Sequence, residues 1–307
     1  MGSIMTNAAA LTALQSLSAT NKQLQVTQGR ISTGYRVATA SDNSAYWSIA
    51  TTMRSDNKAN SVVQDALGLG AGKVDTAYTA MESAIDVVDK IKQKVLLAKT
   101  SSAENRAKIQ AEIATYQAQL TDNINGANYA GTNLLQTDST STVTTMTVIS
   151  SYNRDATGAV TTGTIDIAFA NIRLIDVDAA ATGILDTAGA ASTATILAID
   201  VTDLSAITGA TEIEQFDNIL TDVEAALAAM ANGAAELGAA KARIDLQKDF
   251  QSKLMDSIER GVGQLVDADM NKESTRLQAL QVQQQLGIQA LSIANQNAQS
   301  ILSLFQS

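Results

Sequence analysis

Not one of the 307 residues is proline. Average usage of about 5% would place roughly 15 in a chain of this length, and each one inside a helix would remove a backbone hydrogen bond and clash with the preceding turn. A chain without them can run in long unbroken helices and has no slow X-Pro isomerisation during folding. Histidine and cysteine are absent as well. Their absence closes most familiar chemistry: there is no thiol nucleophile, disulfide framework, Cys or His zinc site, or Ser/His/Asp triad, and no imidazole to switch charge near neutral pH. Aromatic residues make up 4% of the chain. That scarcity disfavours a thick globular core and suits narrow helix-on-helix seams built from Ala and Leu.

The formal charge of −10 is distributed unevenly. Residues 138–240 hold fourteen acidic and two basic side chains, whereas the remainder is nearly balanced. This block reads as a solvated acidic surface, and no basic stripe suggests a nucleic-acid partner. The two ends carry no charge at all: no ionisable side chain precedes Lys22, and none occurs in residues 277–307. The first residues lack the basic and apolar regions of a secretory signal peptide. The last thirty, with Gln281, Gln283, Gln284, Gln285, Gln289 and Asn295 among them, are too polar for hydrocarbon. No membrane span is expected.

Helical periodicity dominates both ends. Ile4, Ala8, Leu11, Leu14, Leu17, Leu24 and Ile31 fall on one stripe at steps of three, four and seven. Leu277, Leu280, Leu291, Ala294, Ala298, Ile301 and Phe305 follow a heptad that Gln284 and Gly287 interrupt. Val282, Leu286, Ile293, Leu302 and Leu304 form a second stripe beside it. One partner helix cannot cover both stripes, and an uncharged helix with two apolar seams marks an association surface.

Between the ends, helical spacing recurs in Val62, Val63, Ala66, Leu69, Val74, Ala77, Met81, Ile85, Val88, Ile91, Val95 and Leu96, loosened by Gly68, Gly70 and Gly72. A further helix through Ile109, Ile113, Tyr116 and Leu120 is expected to end at the turn Asn123-Ile124-Asn125-Gly126. From Thr137 the chain turns Thr-, Ser- and Gly-rich. Residues 142–149 and 163–169, joined by a turn at 153–158, predict a β-hairpin in a small outer domain. Helical spacing returns with Ile213, Phe216, Leu220, Val223 and Leu227 and continues through Leu237, Ile244, Phe250, Leu254, Ile258 and Leu265. The expected fold class is therefore mainly α: an elongated antiparallel helical bundle or coiled coil made from both chain ends, with a small β-rich outer insert. Carboxylate pairs such as Asp176/Asp178 and Asp200/Asp203 lack any loop motif for metal or acid/base work, so no catalytic, cofactor or metal site is expected.

Two motifs carry a family likeness. The run Gln28-Gly29-Arg30-Ile31-Ser32-Thr33-Gly34-Tyr35-Arg36-Val37-Ala38-Thr39-Ala40-Ser41-Asp42-Asn43-Ser44-Ala45, with Asn21-Lys22 upstream, closely resembles the amino-terminal signature of bacterial flagellins. Residues 276–296, from Arg276-Leu277-Gln278 to Ala294-Asn295-Gln296, and the ending Ile301-Leu302-Ser303-Leu304-Phe305 resemble the flagellin carboxy-terminal segment. The likeness covers roughly residues 1–135 and 213–307 and is greatest to the shorter alphaproteobacterial members. Residues 138–210 carry none.

The resemblance implies a structural subunit that self-assembles into the flagellar filament for swimming motility. It implies termini that are largely disordered in the free monomer and fold into an inner tube on polymerisation. Residues 1–43 and 269–307 would form the inner-tube domain, 44–137 and 212–268 a rod domain, and 138–211 the outer domain. The expected tube-packing residues are Ile4, Leu11, Leu14, Leu17, Leu24, Ile31, Leu277, Leu280, Leu286, Leu291, Ile293, Ile301, Leu302 and Phe305. Implied partners are other copies, sister flagellins, the filament cap, hook-filament junction proteins and an export chaperone, with export unfolded through the flagellar type III apparatus to the cell exterior. A filament-associated adaptor at the hook junction, sharing such terminal helices, is the alternative. One departure stands out. Flagellins sensed by the animal innate receptor carry a basic-apolar-basic-Glu-Leu core where this chain reads Lys90-Ile91-Lys92-Gln93-Lys94. Loss of the carboxylate at Gln93 and an unpaired charge at Lys94 would make a poor ligand.

Overall fold

A computed structural model describes residues 7–155, 157–178, 181–209 and 211–306, the side chains of 297–306 excepted. Helices α1 (Ala8–Thr33), α2 (Ser44–Lys99) and α3 (Ala103–Gly126) come first. Short strands β1 (Asn128–Tyr129), β2 (Thr132–Asn133) and β3 (Gln136–Thr137) lead into the hairpin β4 (Thr145–Arg154) and β5 (Val160–Ala168). One helical turn, α4 (Phe169–Ile172), then β6 (Ile175–Asp176) and a 3₁₀ turn at Ile196–Ala198 complete the insert. Helices α5 (Glu212–Val266) and α6 (Met270–Gln306) close the chain. Two compact units result, residues 1–57 with 256–307 and residues 58–255. The divisions fall inside α2 and α5, some thirteen residues further in than the sequence motifs suggest.

Local sequence sets the helix ends. Asn7 caps α1 by accepting the Ala10 N–H at 3.1 Å, and Gly34 ends it in the left-handed region at φ 76°, its N–H donating to the Arg30 carbonyl. Helix α5 opens on a reciprocal capping box: the Glu214 N–H donates to Thr211 Oγ1, and the Thr211 N–H donates to Glu214 Oε2. Helix α3 ends at Gly126, where the turn-forming residues predict a stop.

The unit of residues 58–255 is built on a heptad. Val63, Leu67, Val74, Ala77, Met81, Ala84, Val88, Ile91, Val95 and Ala98 line one face of α2, all buried. Phe216, Ile219, Val223, Ala226, Met230, Leu237, Ala240 and Ile244 supply the matching face of α5. Three ion pairs fix the antiparallel register: Asp75 with Lys241, Lys92 with Glu224 and Lys99 with Asp217. Seventeen residues separate the first two pairs and seven the last two, counted along either helix, as an unslipped helical pair requires. Helix α3 packs Ile109, Ile113, Leu120 and Ile124 into the same core. Arg106 stacks its guanidinium over the Phe216 ring at 5.0 Å and pairs with Glu212.

Strands β4 and β5 pair antiparallel, as the alternation predicts, with an irregularity between Ile149 and Ser151. The bulge turns the Ser150 carbonyl onto α5, where Gln247 Nε2 donates to it at 2.8 Å and Gln251 Nε2 at 3.2 Å. The insert shares the core of the helices: Val148, Ile165, Ile167, Leu174, Leu185, Ile199 and Val201 join the core of α2, α3 and α5, because two-stranded ribbons cannot bury their own faces. Helix α2 runs unbroken through Gly68, Gly70 and Gly72. A Cβ at Gly70 would lie 2.7 Å from Val148 Cγ1, so this glycine admits the hairpin. Of the fourteen acidic side chains in 138–240, Glu212, Glu214, Asp217, Asp222, Glu224 and Glu236 lie on α5, and three of them pair with bases of α2 and α3. Ile213 and Phe250, read as part of the apolar stripe, face solvent instead.

Candidate subunit-packing site

Helices α1 and α6 pack antiparallel as a narrow coiled coil. The less exposed positions of α1 are Ala10, Ala13, Leu17, Thr20, Leu24, Thr27 and Ile31, and those of α6 are Glu273, Leu277, Leu280, Gln284, Gly287, Leu291 and Ala294. Each series steps by three and four, the spacing of a two-stranded seam. Gln284 and Gly287, read from sequence as interruptions, belong to it. Gln284 Nε2 donates to Asn21 Oδ1 at 2.7 Å, and a Cβ at Gly287 would meet Leu17 Cδ1 at 3.2 Å. Asn7 Nδ2 donates to the Ala294 carbonyl at 2.9 Å, and Arg30 pairs with the buried Glu273 at 3.2 Å. Two neutral amide contacts and one paired carboxylate thus set the register without leaving an unpaired charge in the seam.

The expected tube-packing residues therefore divide. Leu17, Leu24, Ile31, Leu277, Leu280 and Leu291 are used within the chain. Leu11, Leu14, Leu286 and Ile293 are each more than half exposed, together with Val26, Val282 and Ile288, which sequence reasoning did not place in the packing set. Ile4 lies outside the described residues, as do the side chains of Ile301, Leu302 and Phe305. After α1 has covered one stripe of α6, the other remains a charge-free aliphatic face.

Comparison with known proteins decides what such helices belong to. Residues 4–140 match the family described as bacterial flagellin N-terminal helical region, and residues 220–305 match the bacterial flagellin C-terminal helical region. A flagellin of Brucella melitensis biotype 1 is 52% identical over 306 residues, covering 100% of both chains, and flagellin C of Rhizobium meliloti (strain 1021) is 48% identical over 321 residues with the same coverage. The chain belongs to the bacterial flagellin family. It is a structural subunit of the flagellar filament. The family is one of structural proteins, and the filament is an extracellular assembly. A solved chain assigned as a flagellar hook-associated protein from Vibrio parahaemolyticus shares the fold, with a TM-score of 0.52 over 74% of this chain and 100% of that one, at 14% identity.

The signature residues of this flagellin form a clasp where α1 leads into α2. Tyr35 bridges to Asp267, the N–H groups of Arg36 and Val37 donate to the Val266 carbonyl, and the Ala268 N–H donates to the Gly34 carbonyl. Arg36 also donates from its guanidinium to the Leu265 carbonyl at 2.9 Å, capping the negative end of α5. Asp42 accepts from the Ala38 and Thr39 N–H groups and the Thr39 hydroxyl, and the hydrogen bonds from Thr39 lower its pKa. Sequence reasoning recognised this run only as a family mark. Its Gly, Arg and Asp, at fixed offsets between two helices, were the available sign of a turn.

The segment at 90–94 faces inward and sideways. Ile91 is fully buried, Lys90 and Gln93 are exposed, and Gln93 donates to Asp89 Oδ2 at 2.8 Å. Lys92 pairs with Glu224 and Lys94 with Glu112, and the hydrogen bond to each glutamate raises the pKa of its lysine. Helix α3 thus places a carboxylate beside Lys94 within the chain. The carboxylate pairs are structural too. Asp176 accepts from the Ser139 and Asp178 N–H groups on one oxygen and from the Thr182 N–H and hydroxyl on the other. These bonds, those from Ser139 foremost, hold its pKa well below the usual carboxylate range. Asp200 accepts from the N–H and hydroxyl of Thr202 and the N–H of Asp203. Among the described residues no group of three or more Asp or Glu is arranged to hold a metal.

Proposed function

We propose that the chain polymerises through the exposed aliphatic stripe of α1 and α6, residues 1–43 and 269–307 forming the inner tube of the filament and the acidic insert its exterior. The observation that carries this reading is the neutrality of the stripe. Leu11, Leu14, Leu286 and Ile293 stand exposed on stretches without an ionisable side chain. Burial stabilises by about 25 cal/mol per Å² of apolar surface, while one buried unpaired charge would cost several kcal/mol in every subunit. Contact between different faces of successive copies propagates without closing, which yields a helical filament. Export unfolded through the flagellar type III channel, with a chaperone holding the terminal helices and a cap and hook-junction proteins at the filament ends, fits a chain without proline or cysteine.

Removal of residues 277–307 tests this. The truncated chain is expected to stay a soluble monomer that does not extend filament seeds, as read by electron microscopy and sedimentation; normal elongation would overturn the mechanism. The 90–94 segment is proposed to be a poor ligand for the innate flagellin receptor, since Gln93 offers no carboxylate and Lys94 is engaged by Glu112. Strong receptor-reporter activation by purified monomer would contradict it.

A further inference from the structure

The aliphatic stripe of α1, proposed above to pack between copies, carries a single charge. Lys22 stands three turns on from Leu11 and one turn before Val26, exposed on the same face. Its ammonium has no hydrogen bond or ion pair among the described residues. The terminal coiled coil holds no carboxylate to spare for it. Helix α1 has no acidic side chain, residues 277–307 have none, and Glu273 at the start of α6 is taken by Arg30. A lysine on a face that loses water on assembly needs a carboxylate beside it, and its own pair of helices does not provide one.

We infer that the Lys22 side chain enters a cavity beside the clasp of a second copy, where Glu259 and Asp267 receive its ammonium. This cavity, of about 270 Å³, lies wholly within the unit of residues 1–57 and 256–307. Ile258 and Val262 give it an apolar wall, and Asn57, Glu259 and Asp267 line it with acceptors. Asn57 Oδ1 is buried and accepts no hydrogen bond, and the side chains of Glu259 and Asp267 have no partner among the described residues. Acceptors left in this state call for a donor. Arg54 also lines the cavity but is drawn over the Tyr35 ring at 4.8 Å. Two carboxylates against one guanidinium leave one negative charge over. An aliphatic stem ending in a single ammonium fits both the wall and that charge.

The same groups remain when the other charges of this unit are accounted for. Asp42 is held by Ala38 and Thr39, Asp56 has a partner of its own, and Asp269 accepts the N–H groups of Asn271 and Lys272. Arg36 is engaged by the Leu265 carbonyl. Arg260, Lys272 and Arg276 each follow an acid, Asp256, Asp269 and Glu273, by three or four residues. Lys22 has no such neighbour. It does not line the cavity of its own chain, and eleven residues of helix, about 16 Å, separate it from the end of α1 at Thr33. The cavity it enters is therefore that of another copy, and a contact between two different faces extends an open array.

The inference rests on filament formation as proposed above, and the tests tell the two apart. Carbodiimide treatment of filaments grown from the full chain joins an amine to a carboxylate in contact with it. A peptide linking Lys22 to Glu259 or Asp267 is expected, from a species of dimer size on denaturing gels that treated monomer does not yield. Filaments that form normally without this link would overturn the contact and leave the filament reading intact. Lys22→Met keeps the stem and removes the charge. With monomer helicity unchanged, it is expected to raise the critical concentration for seeded growth about tenfold; an unchanged or lower value, as for a lysine facing water, would overturn the inference. Lys22→Glu should impair growth further, and adding Glu259→Lys to the same chain should recover most of the loss. No recovery would reject this cavity as the receiving site.

Discussion

Glycine shows how one residue type does opposite work along these helices. At Gly233 of α5 an added Cβ would lie 2.9 Å from the Asn171 carbonyl oxygen and 3.2 Å from Met81 Cε. Backbone cannot yield as a side-chain tip can, so Gly233→Ala is expected to lower stability by about 1–3 kcal/mol in urea unfolding, despite the better helix former. Gly68 of α2 has nothing within 4 Å of the added carbon, and Gly68→Ala should therefore gain about 0.5–1 kcal/mol. Asp176 gives a pH dependence whose sign follows from its lowered pKa. The folded state favours the carboxylate, so its contribution is fully present above the unfolded value of about 4 and is lost as pH falls toward the folded one. Asp176→Asn should be less stable than the parent at pH 6 and show a flatter decline below about pH 4, measured by urea midpoints. The roles of Gly233 and Asp176 are not visible in the residue letters, because they depend on Asn171, Met81 and Ser139, far along the chain.

At the scale of elements, long helices with heptad faces are written plainly in the chain, and their lengths follow from the absence of proline. Register needs more. The pairs Asp75 with Lys241, Lys92 with Glu224 and Lys99 with Asp217 place opposite charges at matched steps on α2 and α5, while any slip by one turn would break all three. These pairs sit near the surface and individually contribute little, so their use is alignment. Lys92→Glu should lower the melting temperature by a few degrees by facing Glu224, and adding Glu224→Lys should restore most of it. The same reasoning explains why Gln284 and Gly287 were misread. A pattern count of apolar letters scores them as breaks, whereas a glutamine bonded to Asn21 and a glycine under Leu17 fill seam positions once α1 lies opposite.

At the scale of the whole molecule, each compact unit holds its own core, and that governs what truncation does. Loss of residues 277–307 removes the partner of α1 from Ala10 to about Leu24. The helicity lost, by circular dichroism, should therefore exceed that of the deleted segment. The core of residues 58–255 contains none of the deleted side chains, so its thermal transition should remain. Chain chemistry alone fixed the helical character, the two apolar stripes of α6, the neutrality of both ends and the hairpin of the insert. All of these are local: a period, a charge count and a turn can be read within a few residues. The choice of stripe that α1 covers and the entry of the insert into the core of α2, α3 and α5 came from tertiary pairing. Either stripe of α6 has the helical period and apolar content to be buried, and the one that is buried depends on the register and end points of helices that meet from opposite ends of the chain.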